Sequence, residues 1–203
     1  MVRLETPRLD LRPLELADAE PAQRLFPKWE IVKYLANRVP WPYPDEGALP
    51  YYRDDALPAM ARGEEWHWSL RLKSDPEQFI GCISLMKAED NNRGFWLGLP
   101  WQRQGLMSEA TQVVTDYWFD ELGFPVMRVP KAVVNIASRR ISQKNGMRVV
   151  AVEERDYRKR TVPHRSMGDR RAGMARSPWP TGSKPLFVIA GMAAGDARNL
   201  MSA

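Results

Sequence analysis

The segment Gly98-Leu-Pro-Trp-Gln-Arg-Gln-Gly-Leu-Met-Ser-Glu109 is the most informative part of the chain. Apolar residues ahead of it predict a strand. From Leu106 to Leu122 apolar residues recur every three or four positions, which predicts a helix. A strand, a short loop and a helix start present unpaired backbone N–H groups at the positive end of the helix dipole. Such a junction can bind phosphate or pyrophosphate, and Gly105 would allow close approach, although one glycine there is more often an ordinary loop.

Working outward, the pattern predicts further strands and helices on both sides of this junction. Ahead of it we expect strands over 8–14, 66–72, 79–86 and 95–99, with helices over 16–26, 29–35 and 46–62. Behind it we expect a strand over 126–129, a helix capped by Asn135 and ended by Gly146, and a strand over 147–152. Residues 136, 137 and 141 are expected to face inward. The polar residues after 72 predict a hairpin turn. This order indicates an α/β or α+β domain of about 155 residues.

Composition excludes several classes of protein. The 203 residues are 44% hydrophobic and 27% charged, which is typical of a globular protein. Because no apolar run approaches the roughly 18 residues of a membrane span and the N-terminus lacks a signal-peptide core, we expect a cytoplasmic protein without membrane contact. A single cysteine, Cys82, rules out an intramolecular disulfide. Only two histidines leave little material for a metal site, so we expect no metal.

The net charge of +5 is unevenly distributed. Residues 158–203 hold nine Lys/Arg and two Asp/Glu, whereas residues 1–157 hold 21 and 23. The body of the chain is therefore slightly acidic. Nucleic-acid binding is unlikely for this body, and we would expect it only through the basic tail.

Three segments, in order along the chain, resemble one family. Gln102-x-x-Gly105-x-Met107 is similar to the Arg/Gln-x-x-Gly-x-Gly/Ala signature of the GNAT superfamily of N-acetyltransferases. Residues 96–110 as a whole resemble the branch of ribosomal-protein N-terminal acetyltransferases, the RimJ/RimL-like proteins. Residues 5–13 resemble that branch's first strand, and residues 135–147 resemble its Asn-x-x-Ser…Lys-x-Gly-Met/Phe helix.

This sequence also departs from the family pattern at two positions of the loop. Met107 stands where Gly or Ala is usual in the superfamily, although this branch often tolerates it. Arg103 stands where the branch often has Gly.

The resemblance implies a fold and a co-substrate. The GNAT fold is a mostly antiparallel twisted sheet, split in a V, with helices on both faces. Acetyl-CoA would lie in the split between the strands predicted at 95–99 and 126–129. No metal takes part, and the protein would be a monomer or a homodimer. The residues expected to contact CoA are Leu97, Gly98, Leu99, Gln102, Arg103, Gln104, Gly105, Leu106, Met107, Asn135 and Ser138.

The resemblance also implies an acyltransferase that moves the acetyl group directly to a primary amine, on a protein N-terminus or a small molecule. That chemistry needs a neutral amine, donors for the developing oxyanion and a proton for the thiolate. A backbone N–H on the strand at 97–99 is the natural oxyanion donor. Many members place a tyrosine seven residues after the helix asparagine, where this chain has Ser142. Asn135, Ser138 and Tyr157 are the catalytic candidates, and the identity of the acid stays open.

The general base also stays open. Glu89 and Asp90 could take the amine's proton through water, although a solvated turn is the more common role for such residues. His67 is expected to be structural or to line the pocket. Cys82 could suggest a covalent acetyl-cysteine, but a small core residue is favoured. Trp41 and Tyr43, on a proline-rich loop, are the expected wall of the acceptor pocket.

The amino-acid composition of the chain changes after Tyr157. Residues 1–157 form the predicted acetyltransferase domain, and residues 158–203 form an atypical basic tail. The branch normally ends with a strand carrying Trp-Glu-Ile-x-x-x-Glu-Trp-Arg, which is not visible here. Met167-Gly168 and Met174-Ala175 both force the bases ATGG, which spell tryptophan one nucleotide later, at the family's spacing of seven.

We therefore expect the tail to be a frameshift product that lacks the last strand and exposes a sheet edge. The alternative function is a CoA-binding protein with little or no catalysis, because that strand is lost.

Overall fold

Five antiparallel strands form the larger sheet, in the order β1-β2-β3-β4-β5. The structure, a computed structural model, describes residues 1–35, 39–154 and 186–193, the last range chiefly as backbone. The five strands are β1 (Leu4–Glu5), β2 (Leu9–Pro13), β3 (Glu65–Leu72), β4 (Asp75–Met86) and β5 (Arg93–Leu97). Side chains of β3 and β4 alternate between the two faces of this sheet, as strand geometry requires.

A second sheet of three antiparallel strands continues from β5. Its strands are β6 (Val126–Ala132), β7 (Arg148–Glu154) and β8 (Leu186–Ala193), in the order β6-β8-β7. The two sheets meet at the start of β5, where the Asn92 N–H donates to Arg128 O at 2.8 Å. The Arg128 N–H in turn donates to Asn92 Oδ1 at 2.7 Å. Beyond this point β5 and β6 belong to separate sheets.

Helices cover both faces of the larger sheet. They are α1 (Ala19–Leu25), α2 (Trp29–Val32), α3 (Ala48–Pro50), α4 (Leu57–Ala61), α5 (Leu106–Asp116) and α6 (Ile136–Lys144). A π-helical turn over Tyr51–Ala56 joins α3 to α4, and another over Tyr117–Glu121 prolongs α5. Short 3₁₀ turns occupy Leu16–Asp18 and Leu99–Trp101. No helix within the described ranges is both long enough and apolar enough to cross a membrane.

Two apolar clusters hold these layers together. The larger packs α5, through Leu106, Ala110 and Val114, against fully buried strand residues such as Trp68 and Ile83. The smaller lies on the opposite face, between α1, the helical segment 48–61 and β4. The expected mixed α/β fold, with an antiparallel sheet covered by helices on both faces, is therefore confirmed.

The differences from the sequence expectation include two element boundaries and the orientation of two residues in α6. The hairpin between β3 and β4 turns at residues 73–74, because Leu72 pairs with Asp75, so the polar residues after Ser74 extend β4. Strand β5 ends at Leu97, and Leu99 begins a 3₁₀ turn because the proline that follows it favours a helical start. In α6, Ile136 and residue 137 are exposed rather than inward-facing.

The expectation of a missing last strand is wrong. Strand β8, which lies within residues 158–203, pairs with β6 on one side and with β7 on the other. Its apolar sequence Leu-Phe-Val-Ile-Ala suits a strand with neighbours on both sides. Consequently the edge of β7 that faces β6 is covered. Tyr157 and the remainder of the tail lie outside the described residues.

Candidate functional site

The loop before α5 presents a row of free backbone N–H groups. Gly105 is the N-cap of α5, with φ +82° and ψ −6°, a left-handed conformation that favours glycine. Hydrogen bonding at this end begins with the N–H groups of Ser108 and Glu109, which both donate to Gly105 O. Across the ranges that the structure covers, the N–H groups of residues 103–107 have no backbone acceptor. Five adjacent free donors at the positive end of a helix suit an anion such as pyrophosphate.

Side chains of the same loop fold back onto the protein and fix its shape. The Gln102 amide donates from Nε2 to Leu97 O at 2.8 Å, and the Gln104 amide donates to Pro100 O at 2.8 Å. Arg103 is exposed and adopts φ +64°, the one described non-glycine residue with a positive φ. Its guanidinium is therefore available to a ligand on the loop.

Arg8, at the N-terminal edge of β2, also contacts this loop. Its Nη2 donates to Gln104 O at 3.0 Å, and its Nε donates to Glu109 Oε1 at 2.6 Å. Thr6 donates to the other carboxylate oxygen of Glu109 at 2.8 Å. Although burial acts to raise the pKa of Glu109, the hydrogen bonds from Arg8 and Thr6 lower it below its ordinary value. Sequence reasoning missed Arg8, whose only signal was its place in the family-like segment 5–13.

The outer edge of β5 offers backbone groups to the split between the sheets. Gly98 N–H donates to Ile80 O across the β4 ladder at 2.8 Å. Because hydrogen bonding alternates along an antiparallel pair, the N–H and C=O groups of Phe95 and Leu97 point away from β4. The Leu97 carbonyl is already taken by Gln102. The N–H groups of Phe95 and Leu97 are thus the donors that an oxyanion in the split could reach.

Helix α6 turns a polar face inward. Asn135 caps the helix, since its Oδ1 accepts the Ser138 N–H at 3.1 Å. This cap sets the phase that buries Ser138, Ser142 and Asn145, spaced by four and three residues. Within the described ranges, Ser142 Oγ and Asn145 Oδ1 are buried without a hydrogen-bond partner. Buried polar atoms without partners are uncommon, and a ligand could supply the partner.

Two buried cations lie beside the split. Arg93 is fully buried, donates to Thr115 Oγ1 and keeps an unpartnered Nε. Lys131, on β6, holds its Nζ 4.6 Å from the centre of the Phe95 ring. Burial, and to a lesser degree the charge of Arg93, lowers the pKa of Lys131 to about 7. Neither cation has a carboxylate partner among the described residues, and neither was predicted from the sequence.

On the other face of β5 lies a cavity of about 1060 Å³. We call it the acceptor cavity. Its floor is formed by residues of β3, β4 and β5, and its roof by the helical segment 48–61 and the loop before it. Its charged and aromatic lining residues are Phe26, Tyr43, Glu46, Tyr51, Tyr52, Asp54, Asp55, Arg62, Glu64, Glu65, His67, Phe95 and Trp96.

The structure brings Tyr43 to this cavity but not Trp41. The Tyr43 ring meets Phe26 edge-on, with ring centres 5.3 Å apart, and both line the cavity. Trp41 instead packs against Trp29, with ring centres 5.3 Å apart, and does not line the cavity. Glu89 and Asp90, the expected acidic candidates, also do not line it.

Acidic groups dominate the charge of the acceptor cavity. Five carboxylates line it, those of Glu46, Asp54, Asp55, Glu64 and Glu65. Among the described lining residues, the one guanidinium belongs to Arg62, which pairs with Glu64 at 2.7 Å. An excess of negative charge over aromatic walls suits a positively charged ligand.

Glu65 and His67 form a hydrogen-bonded pair on the cavity floor, which sequence reasoning missed as a pair. Glu65 Oε2 lies 2.6 Å from His67 Nε2, and His67 is 4% exposed. Cys82 lies on the same floor, but burial raises the pKa of its thiol well above the ordinary value. Its thiol therefore stays protonated, which disfavours an acetyl-cysteine. Among the described residues no three His, Cys, Asp or Glu side chains could jointly hold a metal ion.

Comparison with solved structures identifies close matches in fold. A GNAT-family acetyltransferase from Bacillus anthracis superposes with a TM-score of 0.70 at 17% identity, covering 96% of this chain and 99% of that one. The ribosomal-protein-S5-alanine acetyltransferase from Vibrio fischeri gives 0.71 at 13% identity, covering 97% and 98%. RimL, a ribosomal L7/L12 alpha-N-protein acetyltransferase solved with coenzyme A, gives 0.69 at 16% identity, covering 97% and 99%.

Comparison by sequence supplies the family. No curated protein matches this chain. The family model described as Acetyltransferase (GNAT) domain matches residues 8–148, which include the loop, the split and every described lining residue of the acceptor cavity. The chain therefore belongs to the GNAT acetyltransferase family.

Proposed function

We propose that this protein is an acetyl-CoA-dependent N-acetyltransferase that acetylates a primary amine. The observation that carries the proposal is that β5 serves two sites. Its residues Gly94 and Trp96 line the acidic acceptor cavity, and its end at Leu97 leads directly into the loop with free N–H groups. A strand that borders both sites can hold an acyl donor and an amine side by side, which direct transfer requires.

The residues of this chain fit a coenzyme A ligand. The N–H groups of residues 103–107 and the guanidinium groups of Arg8 and Arg103 would hold its phosphates. When bound, acetyl-CoA supplies the thioester whose acyl carbon an amine can attack. The Phe95 and Leu97 N–H groups are placed to stabilise the negative charge that develops on the acyl oxygen. Ser138 and Ser142, buried on α6, are the side chains offered for contact with the ligand, and Asn135 supports them as the helix cap.

The acceptor is a positively charged amine. The carboxylates of the cavity attract an ammonium group, and the rings of Tyr43 and Trp96 add favourable cation–π contact. Several structural neighbours are ribosomal-protein acetyltransferases, which favours a protein N-terminus, and a small-molecule amine fits the same chemistry. The alternative of a CoA-binding protein without catalysis rested on a lost last strand, and β8 removes that reason.

A thermal-shift measurement tests the cofactor site. Acetyl-CoA at about 100 times its Kd should add about 2.7 kcal/mol to the native state, a clear upward shift in Tm. Gly105→Glu places a carboxylate at the free N–H groups and should abolish the shift. Gly123→Glu is the matched control, because Gly123 also has a positive φ, with open space around it and no contact with the loop.

An acetylation assay tests the acceptor. The 203-residue protein is incubated with acetyl-CoA and a panel of amines that includes a peptide with a free N-terminus and 1,4-diaminobutane, and free thiol is measured. We expect turnover that depends on both substrates and is lost in Gly105→Glu. Binding of acetyl-CoA without turnover on any amine would contradict the proposal.

A further inference from the structure

The Glu65–His67 pair lies where an incoming amine must lose a proton. Both side chains line the acceptor cavity, and His67 Nε2 is occupied by the Glu65 carboxylate at 2.6 Å. Within the ranges that the structure covers, His67 Nδ1 has no hydrogen-bond partner. We propose that His67 is the proton acceptor for the attacking amine, and that Glu65 positions its imidazole. This inference rests on the proposed acetyl transfer.

Strand register places the imidazole near the split. His67 pairs with Ser84 on β4, and Ser84 pairs with Gly94 on β5. Directly paired residues point to the same face of a sheet, so these three positions form one row across the cavity floor. With strands about 4.8 Å apart, His67 lies about 10 Å from Gly94 along this row. An amine seated over Ser84 would lie between the imidazole and the split.

Gly94 keeps this row open. A Cβ at Gly94 would lie 3.1 Å from Ser84 Oγ, closer than nine in ten real Cβ contacts. A larger residue there would fill the space over Ser84. The row therefore offers a small, polar seat with an imidazole at one end, which is a geometry suited to an amine.

The chemistry requires a proton acceptor at this place. Alkyl ammonium groups have a pKa of about 10.4, so at pH 7 roughly one molecule in a thousand or fewer is neutral. His67 Nδ1 takes one ammonium proton and leaves a lone pair on nitrogen. That lone pair forms the C–N bond to the acyl carbon as the C–S bond breaks and its electrons leave on sulfur. As the amide forms, the nitrogen loses its second proton, and the thiolate takes up one proton to become a thiol. The imidazolium proton passes to solvent.

Several other charged or titratable groups face the acceptor cavity. They are the carboxylates of Glu46, Asp54, Asp55 and Glu64, the guanidinium of Arg62 and the hydroxyl of Tyr51. Burial raises the pKa of the remaining ones, the Tyr43 and Tyr52 hydroxyls and the Cys82 thiol.

Burial lowers the pKa of Lys131 to about 7, and Lys131 lies over Phe95 on β5. A variant at this position is therefore needed to remove its contribution to the pH dependence of the reaction.

Kinetics on 1,4-diaminobutane tests the assignment. A positioned general base contributes about 10²–10⁴-fold, so His67→Gln should lower kcat/KM at pH 7 by about 100-fold while leaving the Kd for acetyl-CoA unchanged. The loss should shrink at pH 9, where more of the amine is neutral. Glu65→Gln should show a smaller loss of about tenfold. The loss caused by His67→Gln at pH 7 should persist in a Lys131→Met background. A His67→Gln enzyme that keeps the wild-type profile would overturn the proposal.

A second measurement does not depend on turnover. The chain has two histidines, so His164→Gln leaves His67 as the sole imidazole signal in an NMR spectrum. With CoA bound, adding 1,4-diaminobutane should shift the His67 signal in this variant and in the wild type. A His67 signal that does not respond to the amine would overturn the assignment. If the wild type acetylates no amine, the proposed function fails, and this NMR result still decides whether His67 contacts an amine.

Discussion

Two left-handed positions, separated by one residue, shape the loop before α5, and only one of them is glycine. Gly105 has φ +82° and Arg103 has φ +64°. A non-glycine residue in this conformation costs roughly 1–2 kcal/mol. The arginine therefore strains the loop while supplying a cation beside the free N–H groups.

Arg103→Gly should consequently stabilise the ligand-free protein. After the greater chain entropy of glycine is subtracted, we expect a gain of about 0.5–1 kcal/mol, or a few degrees in Tm. Arg103→Ala is the control, because it removes the guanidinium but keeps the strain, and it should give no gain. Thermal unfolding without ligand measures both. Equal stabilisation by the two variants would show that charge, not backbone strain, dominates.

The buried cation Lys131 makes stability depend on pH. Its pKa of about 7 in the folded protein lies below the ordinary value of 10.5. Between these two values the unfolded chain holds a proton that the folded protein has released. Stability should therefore rise with pH across this window, and the full cost of the buried charge is present below about pH 7.

Lys131→Met should remove this cost. We expect the free energy of unfolding to rise by about 1–4 kcal/mol at pH 7, and the difference from wild type to vanish near pH 10. Chemical denaturation at several pH values measures it. Lys144→Met, at an exposed lysine of α6, should change little at any pH. A less stable Lys131→Met protein at pH 7 would contradict the assignment of an unpaired buried charge.

Among the helices, α6 follows a residue, Asn135, whose capping role and ligand-binding role can be tested separately. Asn135 Oδ1 accepts the Ser138 N–H and so caps the helix. Asn135→Ala should lower the free energy of unfolding by about 1 kcal/mol, whereas Asn135→Ser keeps a capping oxygen and should lose much less. Unfolding and acetyl-CoA titration are both measured. A loss of CoA affinity in the serine variant, at full stability, would show that Asn135 itself contacts the ligand.

The helix α5 is held at its first turn by side chains from the turn between β1 and β2. Arg8 and Thr6 both donate to the Glu109 carboxylate, which thus ties this turn to the N-terminal end of α5. Glu109 also lies in the first turn, where a negative charge complements the helix dipole. Its role is therefore to position the loop.

At the scale of the whole molecule, the second sheet depends on a strand from the tail. Strands β6 and β7 pair only through β8. A chain ending at residue 154 should lose this pairing, expose two strand edges and unfold at a markedly lower temperature. A chain ending at residue 193 keeps β8 and is the matched control. Equal melting temperatures for the two truncated chains would contradict the role of β8.

The frameshift hypothesis for residues 158–203 stays a prediction that the nucleotides of the gene test. Codons that cannot spell the family's ending one base later would exclude it. The structure tests only the expected loss of the last strand. As the chain stands, residues within the tail fill the place between β6 and β7.

The features that depend on neighbouring residues could be predicted from the sequence alone. Helix α5 followed from its apolar spacing, the helix start at Gly105 from a glycine that can adopt a positive φ, and the cap at Asn135 from its side-chain oxygen. The family motifs lie in these same segments. Each feature is set by interactions within about one helical turn, so the sequence contains the whole cause.

The features that depend on strands far apart in the sequence became apparent only from the tertiary structure. The Glu65–His67 pair lines a cavity because β3 and β4 form a cavity floor opposite the segment 48–61. Trp41 and Tyr43 are two residues apart, yet only Tyr43 reaches that cavity. Lysine is rarely a core residue, and Lys131 is buried because β6 packs against Phe95. Likewise β8 forms a strand because β6 and β7, about 60 and 40 residues earlier in the chain, each provide an edge with which it can pair.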